Sequence, residues 1–272
     1  MVIADSGDHA GLGHVSRAGA VAAALDRIEL HPRCLALGAE APFERDGVAW
    51  EPLRSLDDVP VAPVVVLDSY FATAEEVARL GDAASLVLMP EQARRLEDAC
   101  LRPQYWEVPA REHRDRVERV LVSTGGGDPG GAGARLALAA AEALPDARVA
   151  LVRGPYSDHA APPGIEAIVE PDSLHSEFLR ADVAVCGAGQ TMFEACASGT
   201  PTVALALAED QREQGEEAAE LGAVRFVAEE GVPHALRELA SAGARRELGA
   251  RAREVVDGQG ALRLARRIAE LV

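Results

Sequence analysis

The residues near the start of the chain that are best suited to chemistry lie in the segment GLGHVSR, at positions 11–17. This segment follows a short apolar run and precedes an alanine-rich helical pattern, so His14 is expected at the start of a helix. The helix dipole favours a neutral imidazole there, and a neutral imidazole can accept a proton. The spacing alone leaves two interpretations open: His14 is a catalytic base, or it only caps the helix.

The glycines of this segment leave its backbone without side chains. Gly11 and Gly13 would let a ligand approach the main chain closely. They do not complete the G-x-G-x-x-G fingerprint of dinucleotide-binding proteins, because Arg17 stands nearest to the place of the third glycine. The pattern therefore indicates a tight turn or a ligand contact, and it does not favour NAD.

A second glycine cluster, STGGGDP at positions 123–129, follows another apolar run. Three glycines after a buried strand suit a backbone that approaches a ligand or another domain closely, and a simple turn is the alternative. No G-K-[ST] sequence follows, so the segment is not a Walker loop. Gly125 and Gly126 are the candidate ligand-binding residues of this cluster.

The most specific pattern is CGAGQTMFEACASGTP, at positions 186–201. A strand is expected to end at Gly187 and Gly189, and a helix to begin near Gln190 and Thr191. The first N–H groups of a helix have no partner inside the helix, so they can bind a phosphate group. This segment therefore predicts a phosphate site at the start of a helix.

Two polar residues after this predicted phosphate site, Glu194 and Gln211, are candidates for contacts with the rest of a nucleotide sugar. Glu194 lies one turn into the predicted helix, about 5 Å further along its axis, where the ribose of a nucleotide would lie. The alternative is that Glu194 is only a solvated helix charge. Gln211 follows the next strand, and its amide both donates and accepts hydrogen bonds, which suits sugar hydroxyls.

Short apolar runs alternate with helical patterns along the chain, which predicts parallel sheets and an α/β fold. The expected strands lie at about 2–4, 34–38, 64–68, 84–89, 119–124, 147–153, 164–170, 181–187, 200–207 and 223–227. The expected helices lie at about 14–26, 73–80, 132–144, 190–198 and 210–221, and two or three more end the chain.

The strand–glycine–helix arrangement occurs twice, which predicts two Rossmann-like domains. We place an N-terminal domain at 1–115, a C-terminal nucleotide-binding domain at 116–257, and a final helix at 258–272 that packs back on the first domain. Ligands bind beyond the carboxyl ends of the strands in such sheets, so a cleft between the two sheets is the expected site.

Composition excludes several classes of partner. The chain has 272 residues and a formal net charge of −17, which disfavours binding to nucleic acid or to an anionic membrane surface. Its four cysteines form no CxxC motif, so we expect them buried, without disulfides and without a metal site. No leader pattern and no run of about 18 apolar residues is present, which predicts a cytoplasmic protein that does not span a membrane. A monomer is favoured.

Four segments together resemble nucleotide-sugar enzymes of the GT-B fold. In chain order they are GLGHVSR, RPQYWEV, VSTGGGDP and GAGQTMFEACASGTPTVALALAEDQ, and the resemblance covers nearly the whole chain. The pattern is similar to the UDP-sugar hydrolases of pseudaminic acid biosynthesis and to related spore-coat polysaccharide proteins. It is more distantly similar to the peptidoglycan N-acetylglucosaminyltransferases that make lipid II.

The resemblance implies a role for each candidate residue. His14 would be the catalytic histidine, and the segment LDSYF would add Asp68 and Tyr70 to the catalytic set. The implied substrate-binding residues are Gly11, Gly13, Arg17, Gly125, Gly126, Arg153, Gly187, Gly189, Gln190, Thr191, Glu194 and Gln211. Within this set, positions 189–191 would hold the diphosphate, Glu194 the ribose and Gln211 the sugar. Neither a metal nor a cofactor is implied.

The implied function is hydrolysis of a nucleotide-activated sugar, UDP-linked, to free sugar and nucleoside diphosphate. The alternative is a GT-B glycosyltransferase that uses the same donor, and a non-catalytic sugar-nucleotide binder is the third possibility. Three departures from the family pattern stand out: a glycine triplet replaces Gly-Gly-Ser, Gln190 replaces serine or glycine, and MPEQ at 89–92 replaces an acidic pair.

Overall fold

A computed structural model of the chain describes residues 1–7, 13–89, 96–157, 159–171 and 173–272. The chain forms two compact units, the first made of Met1–Trp106 with Gly258–Val272 and the second of Glu107–Asp257. No helix within the described ranges is long and apolar enough to cross a membrane. All four cysteines are buried.

The secondary structure consists of short strands that alternate with helices. The strands are β1 (Val2–Asp5), β2 (Cys34–Leu37), β3 (Phe43–Arg45), β4 (Val48–Leu53), β5 (Val64–Asp68), β6 (Ser85–Leu88), β7 (Arg119–Ser123), β8 (Arg148–Arg153), β9 (Glu166–Val169), β10 (Val183–Gly187), β11 (Thr202–Leu205) and β12 (Arg225–Phe226). The helices are α1 (Gly13–Asp26), α2 (Ala74–Ala83), α3 (Ala132–Ala143), α4 (His175–Arg180), α5 (Gln190–Ala197), α6 (Arg212–Glu220), α7 (Val232–Glu238), α8 (Ala242–Val255) and α9 (Gly260–Ala269).

The six strands of the first unit form one sheet in the order β3-β4-β2-β1-β5-β6. All neighbours are parallel except β3 and β4, which form an antiparallel hairpin. The turn between them is Asp46-Gly47, where both residues have positive φ angles of 53° and 77°, as hairpin turns require. The strand order reverses at β1, so the carboxyl ends of β1 and β5 flank a topological switch point.

Helices cover both faces of this sheet, which explains why its strands are continuously apolar. Along β1, Val2 and Ala4 face a core that includes residues of α1 and α9, whereas Ile3 faces a second core with Leu80 of α2. The final helix α9 packs against α1 within this unit. The core therefore fixes the position of α1, whose first turn carries His14.

The second unit repeats the arrangement with a fully parallel sheet in the order β12-β11-β10-β7-β8-β9. The order reverses at β7, so its switch point lies between the carboxyl ends of β7 and β10. Val120, Val185 and Val203 pack with Leu136 of α3 and Leu236 of α7 on one face. The α/β class and the two Rossmann-like sheets predicted from the sequence are confirmed.

The division of the chain differs in detail from the expected boundary at 115. Residues 107–115 belong to the second unit because their arginines are bonded to it. Arg111 donates to the carbonyl oxygen of Phe178 at 2.9 Å, and Arg114 donates to Asp182 at 2.8 Å. The hairpin β3–β4 and the helix α4 were not predicted from the sequence.

Candidate active site

Three side chains meet at the switch point of the first sheet, between the carboxyl ends of β1 and β5. His14 lies in the first turn of α1, and its Nδ1 is 2.7 Å from Oδ1 of Asp68, the last residue of β5. Arg17, one turn further along α1, donates from Nε and Nη2 to the two oxygens of the same carboxylate at 3.0 and 2.8 Å. Asp68 is fully buried and His14 is 4% exposed.

The electrostatics of this group keep Asp68 ionised. Burial by itself raises the pKa of a carboxyl group, but the charge of Arg17 and the hydrogen bonds from His14 and Arg17 lower the pKa of Asp68 below its ordinary value. Burial likewise disfavours the charged guanidinium, yet Asp68 raises the pKa of Arg17 above its ordinary value. The pair is therefore a carboxylate bound to a permanent cation.

An ionised carboxylate only accepts hydrogen bonds, so Nδ1 of His14 must be the donor in the contact with Asp68. In a neutral imidazole the other nitrogen, Nε2, then carries the lone pair and can accept a proton. The carboxylate also stabilises the imidazolium that forms after proton transfer. The arrangement is chemically able to act as a general base with an orienting carboxylate, and a simple helix cap does not require its burial.

Tyr70 completes the surroundings of the histidine. Its ring meets the His14 ring edge-on with 4.5 Å between centroids, and the Arg17 guanidinium lies 5.7 Å from the Tyr70 centroid. The backbone N–H of Tyr70 donates to Oδ2 of Asp5 at 2.9 Å, and Asp5 is only 2% exposed. Sequence reasoning missed Asp5, although an acidic residue that ends a strand at a switch point is the signal for it.

Of the two glycines before His14, the structure describes only Gly13. Gly13 is the first residue of α1, and an added Cβ there would meet no atom within 4 Å. A side chain at this position would therefore extend into space that the described residues leave open. Gly11 lies outside the residues that the structure describes.

In the second unit, the glycine cluster follows β7 at the switch point. Gly125 has φ +93°, which a glycine adopts without strain, and a Cβ there would lie 3.8 Å from Oγ1 of Thr191. Gly126 accepts a hydrogen bond from the backbone N–H of Tyr156 at 3.0 Å. The loop thus runs beside the start of α5. Arg153 ends the neighbouring strand β8, where its Nη2 donates to the Ser157 carbonyl at 3.5 Å.

The remaining predicted residues surround the connection from β10 to α5. A Cβ on Gly187 would come within 2.9 Å of Leu207 and 3.1 Å of Oε1 of Gln211, so packing inside the protein already requires a glycine here. A Cβ on Gly189 would lie 3.4 Å from Nε2 of Gln211. Gln211 is held in place because its Oε1 accepts from the backbone N–H of Leu207 at 3.1 Å.

Helix α5 begins at Gln190 directly after Gly189, and no side chain of the described residues caps its start. The start of a helix is a place where proteins bind anions, so this one stays the candidate phosphate site. Glu194 faces inward and is 5% exposed, so the alternative that it is a solvated helix charge is wrong. A carboxylate buried one turn from a helix start can accept hydrogen bonds from ligand hydroxyls.

Among the residues that the structure describes, no group of three or more His, Cys, Asp or Glu side chains is arranged to hold a metal ion. Each of the two units carries its own set of candidate residues. The first unit contributes an oriented histidine, and the second contributes a helix start with glycine loops, a buried carboxylate and an amide.

Comparison with known proteins finds similarity in structure only. No family model matches the sequence, and no curated protein matches it. Among solved structures, the spinosyn forosaminyltransferase SpnP superposes with a TM-score of 0.67 at 15% identity, over 99% of this chain and 98% of that chain. The glycosyltransferase SsfS6 of Streptomyces sp. SF2575, solved with thymidine diphosphate, gives 0.62 at 16% identity over 99% and 98%.

A third structure, LpCGTa in complex with UDP, gives a TM-score of 0.60 at 12% identity, over 99% of this chain and 98% of that chain. At such identities the likeness concerns the fold. It spans both units and both parallel sheets, and the chain therefore has the GT-B fold.

Proposed function

We propose that this chain is a glycosyltransferase that moves a sugar from a nucleoside diphosphate donor to an acceptor hydroxyl. The observation that carries the proposal is the buried His14–Asp68 pair at a switch point of the GT-B fold, because it leaves one imidazole nitrogen as a directed proton acceptor. The names of the structural neighbours support the same chemistry: two are called transferases, and the structures of two contain thymidine diphosphate or UDP.

The first unit would supply the base. Nε2 of His14 accepts the proton of the acceptor hydroxyl as its oxygen bonds to the anomeric carbon of the sugar. The bond between that carbon and the diphosphate oxygen breaks, and the nucleoside diphosphate leaves with the bonding electrons. Asp68 stabilises the imidazolium formed, and Arg17 holds Asp68 in place. General base catalysis of this kind contributes roughly 10²–10⁴-fold to the rate.

The second unit would hold the donor. The N–H groups at the start of α5 and the glycine loop after β7 receive the diphosphate, and they stabilise the charge that develops on it as it leaves. Arg153 adds a positive charge near the same strand edge. Glu194 accepts from the ribose hydroxyls, and the Gln211 amide contacts the sugar. The candidate donor residues are Gly125, Gly126, Arg153, Gly187, Gly189, Gln190, Thr191, Glu194 and Gln211.

Replacing Glu194 by glutamine tests the nucleotide part of the proposal. We expect UDP binding to weaken by about 1–2 kcal/mol, because charge-assisted hydrogen bonds from the ribose hydroxyls become neutral ones. Calorimetry with UDP measures the change, and Glu209→Gln is the matched control because Glu209 is exposed at the same edge of the sheet. Equal UDP affinity for the two variants would remove Glu194 from the ribose role.

Hydrolysis is the competing outcome, since the same base would activate water if no acceptor excluded it. The motif pattern implied a hydrolase, but the structural neighbours favour transfer, and none of the three compared structures is named a hydrolase. The experiment that separates the two is release of nucleoside diphosphate with and without an acceptor alcohol. Transfer predicts release that depends on the acceptor.

A further inference from the structure

A cavity of about 710 Å³ lies in the second unit at the amino ends of the strands, whereas the proposed donor residues lie at their carboxyl ends. Gly199, which precedes β11, lines it, so it lies at the amino ends of the strands, whereas Gly125 and Gly189 follow the carboxyl ends of theirs. Its charged lining residues are Arg111, Glu112, His113, Arg246 and Arg253. We call this cavity the arginine pocket.

The lining of the arginine pocket has an excess of positive charge, because it holds three arginines and one carboxylate, Glu112. Among the described residues, arginines such as Arg17, Arg114 and Arg119 form ion pairs, but Arg111, Arg246 and Arg253 form none. Arg245, directly before Arg246 and fully buried, donates to the carbonyl oxygens of Leu239, Ala240 and Arg114. A chain of net charge −17 has carboxylates in excess, so three arginines that share a cavity with one glutamate and form no ion pair favour an anion as their partner.

Two of these arginines are held rigidly by backbone carbonyls. Nη1 of Arg111 donates to the Phe178 carbonyl at 2.9 Å and to Oγ1 of Thr200 at 3.1 Å. Arg253 donates to the carbonyls of Pro109 and Val108 at 2.7 and 2.6 Å. A guanidinium has five N–H donors, so these bonds leave others to use, and Nε of Arg111 is buried without an acceptor.

The floor of the arginine pocket is built from small residues. A Cβ on Gly249 of α8 would lie 2.5 Å from the Gly199 carbonyl oxygen and 3.1 Å from Cε1 of His113. Any larger side chain at this position would displace the loop or the imidazole. The glycine therefore allows the His113 ring and the loop at Gly199 to pack against α8.

The pKa of His113 is sensitive to the charges that surround the arginine pocket. Burial lowers the pKa of this imidazole, and the charges of Arg111, Arg245 and Arg246 lower it further, while Asp182 opposes them. Burial also lowers the pKa of Arg111 to about 10. A bound anion would raise the pKa values of His113 and Arg111, because a nearby negative charge favours the charged form of each group.

We propose that the arginine pocket binds a phosphate-bearing anion, as a second site distinct from the donor site. Guanidinium groups held in fixed orientation match the oxygens of phosphate bidentately, which favours phosphate over chloride. The volume accommodates more than a bare phosphate ion, so an organic phosphate or a diphosphate fits as well. The site does not depend on the catalytic proposal, because none of its residues belongs to the active site.

The test is an amide-resolved NMR titration with inorganic phosphate, pyrophosphate and glycerol 2-phosphate, against sodium chloride at equal ionic strength. We expect saturable shifts at Gly199, Gly249 and Ala250, and a rise in the pKa of His113 when phosphate is bound. Tighter binding of glycerol 2-phosphate would identify an organic phosphate as the ligand, and tighter binding of the inorganic ions would identify a free phosphate or diphosphate.

The variant Arg246→Gln should weaken this binding about tenfold, as loss of one charge-assisted hydrogen bond does. Arg246 is exposed and unpaired among the described residues, so the fold should tolerate the change. Arg237→Gln removes the same charge from the exposed surface of α7 and should leave binding unchanged. Shifts confined to residues 187–191, or equal affinity in the two variants, would show that the arginine pocket is not an anion site.

Discussion

Replacement of His14 by asparagine is expected to lower kcat at least about 100-fold while leaving the affinity for the nucleotide near that of the unmodified protein. The asparagine amide nitrogen occupies nearly the position of Nδ1, so it can still donate to Asp68. Asparagine also caps helices well, so a purely structural role of His14 would survive the change. What the variant lacks is Nε2, the atom that accepts the proton.

The comparison needs a second histidine that lies beside an aspartate without the catalytic surroundings. His31 pairs with Asp26 on the surface of the same unit, and both side chains are mostly exposed. His31→Asn should therefore leave kcat unchanged. If His14→Asn turns over the donor as fast as His31→Asn does, His14 is not the base and the motif at 11–17 is only a turn.

Replacement of Asp68 by asparagine should reduce both activity and stability. The neutral amide no longer fixes the tautomer of His14, so kcat should fall by roughly 10²–10⁴-fold. The change also leaves the nearly buried Arg17 without its counter-charge, which typically costs about 3–5 kcal/mol in free energy of unfolding. Asp26→Asn removes a carboxylate from the exposed His31 pair and should change stability by less than about 1 kcal/mol.

Tryptophan fluorescence measures the loss of stability specifically in the first unit, which contains Asp68. Both tryptophans, Trp50 and Trp106, lie in the first unit and are buried, so their emission follows unfolding of the unit that contains Asp68. A urea midpoint for Asp68→Asn equal to that of Asp26→Asn would show that the Asp68–Arg17 pair does not stabilise the unit.

The same pair gives a pH dependence of known sign. The pKa of Asp68 is lower in the folded chain than its ordinary value of about 3.9. The ionised carboxylate therefore contributes stability above that ordinary value, and this contribution is lost as the pH falls through the folded-state pKa. The stability difference between the unmodified protein and Asp68→Asn should shrink in acid, and a difference that grows below pH 4 would contradict the assignment.

The alternation of apolar runs and helical patterns was sufficient to predict most strands and both parallel sheets, because buried parallel strands are continuously apolar. The hairpin β3–β4 was missed for the opposite reason: Glu44, Ala49 and Glu51 are exposed, so these strands lack an apolar run. The Asp46-Gly47 turn was the available signal. Helix α4 is only six residues long, too short for a helical period to be recognised.

The sequence motifs named the candidate residues, but they did not predict which of these residues contact each other. His14 and Asp68 are 54 residues apart, and they meet only because β1 and β5 are neighbours in the sheet. A motif within one segment does not predict a contact with a distant segment. It also does not predict that Glu194 is buried. Asp5 and the carbonyl-bound arginines of the arginine pocket belong to no motif, since tertiary contacts alone give them their surroundings.

The most direct test of sugar transfer measures release of nucleoside diphosphate from a panel of UDP-, dTDP-, GDP- and CMP-sugars, each with and without a mixture of acceptor alcohols and phenols. The account predicts that at least one UDP- or dTDP-sugar releases its nucleotide at least about tenfold faster with acceptor. It also predicts an acceptor product heavier by one sugar residue, and loss of this release in His14→Asn. Release at the same rate without any acceptor, with free sugar as the product, would contradict transfer and identify the chain as a hydrolase.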